Sequence, residues 1–567
     1  MSLTDWIVLA STLFVIVGYG IWKSRGNKTS SSYLLGDQSL PWYHVGFSVM
    51  ATQASAITFL SAPGQAYSDG MRFVQFYLGL PLAMIVLCIT FVPIFHRLKV
   101  FTAYEYLEQR FDAKTRVFTA LLFLVQRGLS TGITIYAPSI VLSVILNINT
   151  TYTTLFIGCV VTAYTVFGGT KAVSYTQLLQ MSVIFAGLFL SGFVVVSLLP
   201  ESSGFVQSLK VAGKMGKMNV TDWHFDWNNR YTVWSGLIGG FFLQLSYFGT
   251  DQSQVGRYLT GKSVAQSRMG LLMNALLKIP LQFLILLIGI LVFSFYQYKK
   301  PPLFFNPYEV KRVEQSRFAG EYKKAENMHD AVFTTKKQAV EKLDAALAGG
   351  DEEKIASAQK ELLVADKKQK ANRDEAVALI QKANADADKN DTNYIFLNFV
   401  THYLPRGLIG LLIAIIFLAS MGSTASALNS LASTSMIDIG KRLFFRSVSA
   451  DREVYYSRWL TVFWGVFCMG MAFFAGKMGN LLEAVNELGS YLYGTILGVF
   501  IVAFYLKKIG GNAVFLAAVM AEILTCVLGF SGLVAYLWLN VIGCMAVVIL
   551  ALLISRFLPE TPKPEPA

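Results

Sequence analysis

Charge is scarce in this chain: only 15% of its 567 residues are Asp, Glu, Lys or Arg, against about a quarter in soluble domains. Cysteine and histidine are scarcer still, with five of each. Cys88, Cys159, Cys468, Cys526 and Cys544 all lie in apolar stretches and do not pair at metal-ligand spacing. That excludes a disulfide framework or a zinc site as the organising principle. The histidines form no HExxH motif and no i,i+4 pair, and the chain has neither a Walker motif nor a nucleophile–base pair. An ATP-driven pump and a membrane enzyme therefore have nothing to stand on. The net charge of +13 would suit an anionic polymer. Its basic residues sit in connecting loops rather than on a patch with interleaved aromatics, so no nucleic-acid partner is expected.

What the chain has instead is apolar sequence in long blocks. It is 54% hydrophobic and 14% aromatic, with runs over 7–22, 78–94, 181–199, 276–295, 409–421 and 537–554. Roughly 20 apolar residues in a helix cross the hydrocarbon of a bilayer. Lipid offers the backbone no hydrogen bonds, so such runs must be helices. The pattern predicts an all-α polytopic membrane protein with about thirteen spans. They are placed at 3–22, 42–66, 74–95, 117–146, 152–168, 173–199, 233–253, 269–297, 402–438, 459–476, 482–506, 511–530 and 533–555. The amino terminus reaches its first apolar block without a basic n-region or small-residue cleavage site, so it reads as a span rather than a signal peptide.

Lys and Arg mark the cytoplasmic side of short loops. Alternate loops carry Lys23, Arg25 and Lys28; Arg97, Lys99, Arg110, Lys114 and Arg116; Lys171; Arg257, Lys262 and Arg268; Lys441, Arg442, Arg446, Arg452 and Arg458; Lys507 and Lys508; and the tail Arg556. Apart from Arg72 and Lys477, the intervening short loops have almost none. One orientation fits throughout, with the amino terminus outside and the carboxyl terminus inside. A plasma membrane, more specifically a bacterial cytoplasmic membrane, is the expected location.

Two spans are interrupted. Residues 51–58, Ala-Thr-Gln-Ala-Ser-Ala-Ile-Thr, put small and hydroxyl side chains at the depth of the midplane. The span 233–253 carries Gly236, Gly239, Gly240 and Gly249 among Gln244, Ser246 and Tyr247. A matched pair of interrupted spans points to discontinuous helices around a midplane site; close packing of helices through small residues is the plainer alternative. With 1–41 peripheral, two five-helix repeats then run over 42–199 and 233–506. The first half of the second repeat lies in 200–298 and the rest in 396–506, and 507–567 is peripheral again.

Between them, 299–395 is rich in Ala, Lys, Glu and Asp. Tyr322, Ala325, Val332, Ala339, Leu343 and Ala346 keep a heptad seam, as do Ile355, Leu362, Ala365, Ala376, Leu379 and Ala383. Gly349-Gly350 separates the two runs and Asp351 can cap the second. An outer helical hairpin of roughly 45 Å is predicted, its seam satisfied within itself, with a disordered charged loop as the alternative. Neither broken helix lies in it, so it is expected to serve an envelope or protein partner rather than transport.

Several motifs, in order along nearly the whole chain outside the hairpin, resemble the sodium:solute symporter family. They are Ser61-Ala-Pro-Gly64, Tyr104-Glu-Tyr-Leu-Glu-Gln-Arg-Phe111, Tyr136-Ala-Pro138, Gly168-Gly-Thr-Lys-Ala-Val-Ser-Tyr-Thr176, Gly249-Thr-Asp-Gln-Ser-Gln254 with Arg257-Tyr-Leu259, and Asn429-Ser430 ahead of Asp438-Ile-Gly. The resemblance implies a LeuT-like fold of two inverted repeats after a peripheral helix. It also implies sodium as the coupling ion. The family's main sodium site maps to the carbonyls of Ala51, Ala54 and Ala419 and to a hydroxyl pair at positions 422 and 423. Here Gly422 leaves only Ser423, and Thr424 or Ser426 is the candidate for the missing oxygen; the alternative is that these hydroxyls back-bond within their own helix. Where the family commonly has a carboxylate linked to a further cation, this chain has Gln177, with a second amide at Gln180. That substitution predicts one sodium per solute.

The same resemblance places the solute site at Gln53, Tyr77, Gln244, Tyr247, Lys278 and Asn486. Tyr77 stands where sugar carriers of the family have a glutamate, and Tyr247 where they have an inner gating tyrosine. A lone intramembrane lysine is costly and therefore a functional candidate by default. For Gln244 and Tyr247, hydrogen bonding between helices is the alternative. The expected function is symport of a small polar solute, a sugar or polyol leading, with anion or vitamin carriage and a transporter-like sensor as alternatives.

Overall fold

The computed structural model describes residues 1–24, 38–98, 100–201, 203–444 and 449–558; the side chains of 21, 23, 24, 167–172, 450 and 451 lie outside that description. Arg25, Lys28, Lys99, Arg446 and the tail beyond 558 therefore fall outside it, as do the side chains of Lys23 and Lys171. The described secondary structure is helical, apart from one bridge between Leu40 and Gly261.

A peripheral helix α1 (Leu3–Ser24) precedes the core. The second segment is broken where the small residues predicted it. α2 (Trp42–Gln53) stops at Ala54, whose φ and ψ of −81° and 81° leave the helix, and α3 (Ala56–Asp69) starts after an extended Ser55. A 3-10 turn (Gly70–Tyr77) leads into the third crossing, Leu80–Leu98, which contains a π turn over Leu87–Phe91. The expected start at 74 thus comes too early, inside the 3-10 turn.

α4 (Ala113–Leu146) is capped by Asp112. α5 (Thr150–Ser197) is a single helical run where two spans and a loop were expected. It cannot be straight. The hydroxyl of Tyr164 lies 3.0 Å from Thr176 Oγ1, yet twelve residues of straight helix separate their ends by about 18 Å. The run therefore doubles back, and its halves still make two crossings.

After a short helix α6 (Gly204–Lys214), the seventh crossing joins a π turn (Ser235–Gly239) to α7 (Gly240–Thr250) and α8 (Gln252–Tyr258). It is broken, but not at its glycines. The break is at Asp251 (φ −76°, ψ 116°), whose carboxylate caps α8 by accepting from Ser253 N–H at 2.8 Å. The glycines serve the alternative reading, close packing. A Cβ on Gly236 would lie 2.0 Å from the carbonyl oxygen of Gln75, and one on Gly240 2.8 Å from that of Phe76.

α9 (Val264–Tyr298) leads to the hairpin, α10 (Ala319–Gly349) and α11 (Glu352–Ala383). The turn is as predicted: Gly350 has φ 72°, and Asp351 accepts from the N–H groups of Glu353 and Lys354. The seam differs in detail. Phe333 and Val340 are buried where Val332 is only partly so, and Lys336 crosses the seam to Asp366 at 2.6 Å and Gln369 at 2.8 Å. Nor is the hairpin self-contained. Val340, Leu343 and Leu362 pack with Val211 of α6, and Gln359 donates to the Lys214 carbonyl at 2.8 Å.

α12 (Leu408–Thr434) begins after Pro405 and Gly407 (φ 86°) rather than at 402, and is almost wholly buried. α13 (Ala450–Ala475), α14 (Leu481–Tyr505), α15 (Gly511–Ser531) and α16 (Tyr536–Phe557) complete the chain. Among the described residues ten helices are long and apolar enough to cross a membrane. One of these, Ala56–Leu98, continues a broken helix into the next crossing; the 150–166 run and the seventh crossing add to the ten.

The loops sort into two faces. On one, Gly407 N–H donates to Asp5, Lys311 to Asn147, Lys477 to Asp386 and Ala535 N–H to the Trp227 carbonyl. On the other, Arg116 meets Asp438 at 2.7 Å, Arg442 meets Glu108 at 2.8 Å, and Arg110 donates to the Lys507 carbonyl at 2.7 Å. This division is the one the Lys and Arg alternation implies.

Candidate functional site

Both helix breaks face the centre of the bundle. Beside them lies a cavity of about 80 Å³, lined by Gln53, Tyr77, Gln244, Tyr247 and Asn486 together with Gln126, Arg127 and Tyr493. Five of the six side chains expected at the solute site are thus brought together. Lys278 is not in the lining; it is fully buried on α9 behind Tyr77, with Nζ 5.7 Å from that ring.

The cavity is short of hydrogen bonds. Gln53 Nε2 reaches Gln244 Oε1 only at 3.5 Å. Gln53 Oε1, Gln244 Nε2, Gln126 Oε1 and Arg127 Nε are buried without a partner among the described residues. Native interiors leave few such groups, so a cluster of them around one space marks where a polar ligand completes the network. The hydrogen-bonding alternative for Tyr247 holds in part, since its hydroxyl accepts from Gln254 Nε2 at 2.7 Å.

Arg127 was missed in the sequence. It pairs with Asp251 at the second helix break, donates to the Tyr493 hydroxyl at 3.0 Å, and lies 5.4 Å from the centre of the Tyr247 ring. Tyr493 in turn donates to Asp251 Oδ2 at 2.8 Å. The signal was available: Arg127 is a lone cation inside an apolar block, the same criterion that singled out Lys278.

A few side chains away α2 ends against α5 and α12, where Thr52 Oγ1 lies 3.2 Å from Ser426 Oγ. Ser55 N–H turns to the Gln53 carbonyl and Thr58 N–H to that of Ser55, so the helical partners of the Ala51 and Ala54 carbonyls are engaged elsewhere. On α12, Ser423 Oγ back-bonds to the Ala419 carbonyl at 2.9 Å, and Ser426 Oγ to that of Gly422 at 2.9 Å. Back-bonding uses the hydroxyl hydrogen and leaves oxygen lone pairs for a cation. Thr424 Oγ1 is buried without a partner among the described residues. Gln177 Nε2 donates to Thr52 Oγ1 (3.2 Å), Ser426 Oγ (3.1 Å) and the Gly422 carbonyl (3.3 Å), while its Oε1 accepts from Ser48 at 2.6 Å. An amide N–H₂ thus occupies the centre of these oxygens. With Thr52, Ser426 and the Gly422 carbonyl engaged by that amide, the carbonyls at the helix break and the Ser423 hydroxyl are the oxygens that suit a hard monovalent cation such as sodium.

The profile of the sodium:solute symporter family matches residues 33–328 and 373–524. The chain belongs to the sodium:solute symporter family. The gap between the two matched segments is the middle of the hairpin. The sodium-coupled monocarboxylate transporter 1 of Mus musculus is 27% identical over 501 residues, covering 88% of this chain and 68% of that one. The human sodium/iodide cotransporter is 32% identical over 295 residues, covering 52% and 45%. A solved structure of a Na⁺-coupled sialic acid symporter, in a substrate-bound outward-open state, superimposes with a TM-score of 0.76 at 22% identity and covers 99% of each chain. The fold is therefore the LeuT-like one, and sodium is the coupling ion of this symporter.

Proposed function

We propose that this symporter carries a small organic anion inward with sodium, by alternating access around the cavity between the two helix breaks. The charge balance at the cavity carries the reading. Arg127 lines it and Lys278 lies behind Tyr77, against the single carboxylate of Asp251. A guanidinium lining a low-dielectric space and a lysine behind its wall, against one carboxylate, favour a ligand that brings negative charge. A guanidinium fork with a free Nε–H is suited to a carboxylate. The monocarboxylate and iodide relatives, both carriers of anions by name, support it. The four amides Gln53, Gln126, Gln244 and Asn486 support a second reading, a sugar or polyol held by its hydroxyls.

On this reading Ala51, Ala54, Ala419 and Ser423 hold the sodium, with Thr424 and Ser426 beside them. The basic loops face the cytoplasm, which leaves the amino terminus and the hairpin outside a plasma membrane. The deciding experiment is uptake into proteoliposomes under an inward sodium gradient, with choline as control, comparing labelled monocarboxylates, iodide, and neutral sugars and polyols. Uptake of a monocarboxylate, abolished in choline, is expected. Transport of neutral sugars with no anion transport would replace this reading by the second.

A further inference from the structure

We propose that the joint between the hairpin and the transport core is a second anion site, built for a small oxyanion that also carries a hydroxyl, of the hydrogen-phosphate or hydroxycarboxylate type. It lies apart from the solute cavity and does not depend on what that cavity carries. A cavity of about 260 Å³ opens there between Ser68 at the end of α3, Phe293 on α9 and both helices of the hairpin. Each water in the liquid takes about 30 Å³, so the space holds several non-hydrogen atoms. The hairpin supplies His329 and Lys336 from α10, and Asp366, Lys370 and Arg373 from α11. The family profile stops at 328 and resumes at 373, so most of this wall lies outside what the profile matches.

Its charge is unbalanced. The lining holds four cations, Lys217, Lys336, Lys370 and Arg373, and one carboxylate, Asp366. Lys336 takes Asp366 at 2.6 Å, and Arg373 pairs with Asp391 from outside the lining. Lys217 donates to the Ser68 carbonyl and lies 5.0 Å from the centre of the Phe293 ring. Neither Lys217 nor Lys370 has an ion-pair partner among the described residues. Burial pulls the Lys217 ammonium below its ordinary pKa; Asp366 and Asp69 oppose the shift, and repulsion from Lys336 and Lys370 adds to it. An anion between these side chains offsets that repulsion. Two acceptors call for the hydroxyl. His329, 4% exposed, has Nε2 2.9 Å from the Pro301 carbonyl, which holds the ring proton there. Its Nδ1 is then an acceptor, buried without a partner among the described residues. Gln297, also in the lining, donates Nε2–H to the Phe293 carbonyl at 2.9 Å and leaves its buried Oε1 equally unpartnered. Native interiors leave few such groups; chloride satisfies neither, whereas an O–H on the ligand can. Such an occupant fastens the hairpin to the outer end of the first broken helix.

The test is thermal unfolding of the purified, detergent-solubilised full chain at fixed sodium, titrated with inorganic phosphate or with gluconate, chloride holding ionic strength constant. At least one of the two should raise the unfolding temperature saturably. Lys370→Glu should raise the midpoint of that response about tenfold or more, the scale of a lost charge-assisted hydrogen bond. Lys370 is exposed on α11, so this variant should fold and keep sodium-driven uptake. Lys217→Met, on the core wall, should weaken the same response; should it not fold, Lys370→Glu decides alone. Arg127→Lys, in the solute cavity, should leave the response at its parental midpoint. No stabilisation by either anion beyond that of chloride would overturn the proposal, as would an unchanged midpoint in Lys370→Glu. A midpoint that moves with Arg127→Lys instead would also overturn it, placing the anion in the solute cavity.

Discussion

Arg127 meets a counter-charge at the second helix break, whereas Lys278 Nζ lies against an aromatic ring with no hydrogen-bond partner among the described residues. An uncompensated buried ammonium is held at a cost that replacement by an apolar side chain of similar length removes. Lys278→Met is therefore expected to raise the thermal stability of the ligand-free protein while lowering anion uptake about tenfold or more, a loss of about 1.4 kcal/mol or more. Lower stability with normal uptake would make Lys278 a packing residue. Arg127→Lys keeps the charge but loses the planar fork. It should raise KM for the anion and leave the sodium midpoint unchanged, measured in the same vesicles. On the cation side, Ser423→Ala should raise the sodium concentration for half-maximal transport, and an unchanged value would move the ion elsewhere. Gln177 is expected to set the stoichiometry. Its N–H₂ lies within 3.3 Å of Thr52, Ser426 and the Gly422 carbonyl, so those oxygens already have their donor. A Hill coefficient near one for sodium follows. A coefficient near two that falls when Gln177 is changed would contradict it.

At the scale of elements, the first broken helix is held by backbone approaching backbone. A Cβ on Gly289 of α9 would lie 2.3 Å from the Pro63 carbonyl oxygen, and one on Gly64 2.0 Å from that of Thr392. Neither neighbour is a flexible side-chain end, so α3 is wedged between α9 and the segment that follows the hairpin. Gly289→Ala should cost about 1–3 kcal/mol of overpacking, seen as a lower unfolding temperature together with reduced uptake. A variant as stable and active as the parent would show that α3 can shift freely. This wedge also shows what a sequence can and cannot convey. The break at Ala54 was legible because small and hydroxyl residues stood at midplane depth. In the seventh crossing the same logic pointed to glycines, while the backbone turns at Asp251. There the glycines answer to neighbours distant in the chain, Gln75 and Phe76, which no local pattern reveals. The solute residues Gln53, Gln244, Tyr247 and Asn486 were within reach through motif order. Arg127 escaped although it is a lone cation inside an apolar block, the criterion that singled out Lys278.

The whole molecule is a transport core with a hairpin set into its second repeat, and the joint between them is more than a tether. Asp344 of α10 accepts from Ser203 and from the Tyr298 hydroxyl, and Gln207 donates to its carbonyl at 2.9 Å. At the base Arg373 pairs with Asp391, which is almost fully buried. Within the seam, burial pulls the Lys336 ammonium below its ordinary pKa, against the opposing pull of Asp366. None of these groups reaches the solute cavity or the residues assigned to sodium. Removing 319–383 and closing the gap with a flexible linker adds little loop entropy, because that term grows only logarithmically with length. The deletion would strip Arg373 from Asp391 and leave a buried carboxylate unpaired, a cost of about 3–5 kcal/mol. It is therefore best made together with Asp391→Asn, which keeps an acceptor for Phe305 N–H. That variant should retain sodium-coupled uptake at close to the parental rate and unfold at a somewhat lower temperature, since Val211 loses its apolar cover. Any partner captured by the parent protein through the hairpin should be lost. If the variant is monodisperse and binds sodium but no longer transports, the hairpin governs access from the outer face, and the division between core and insertion drawn here is wrong.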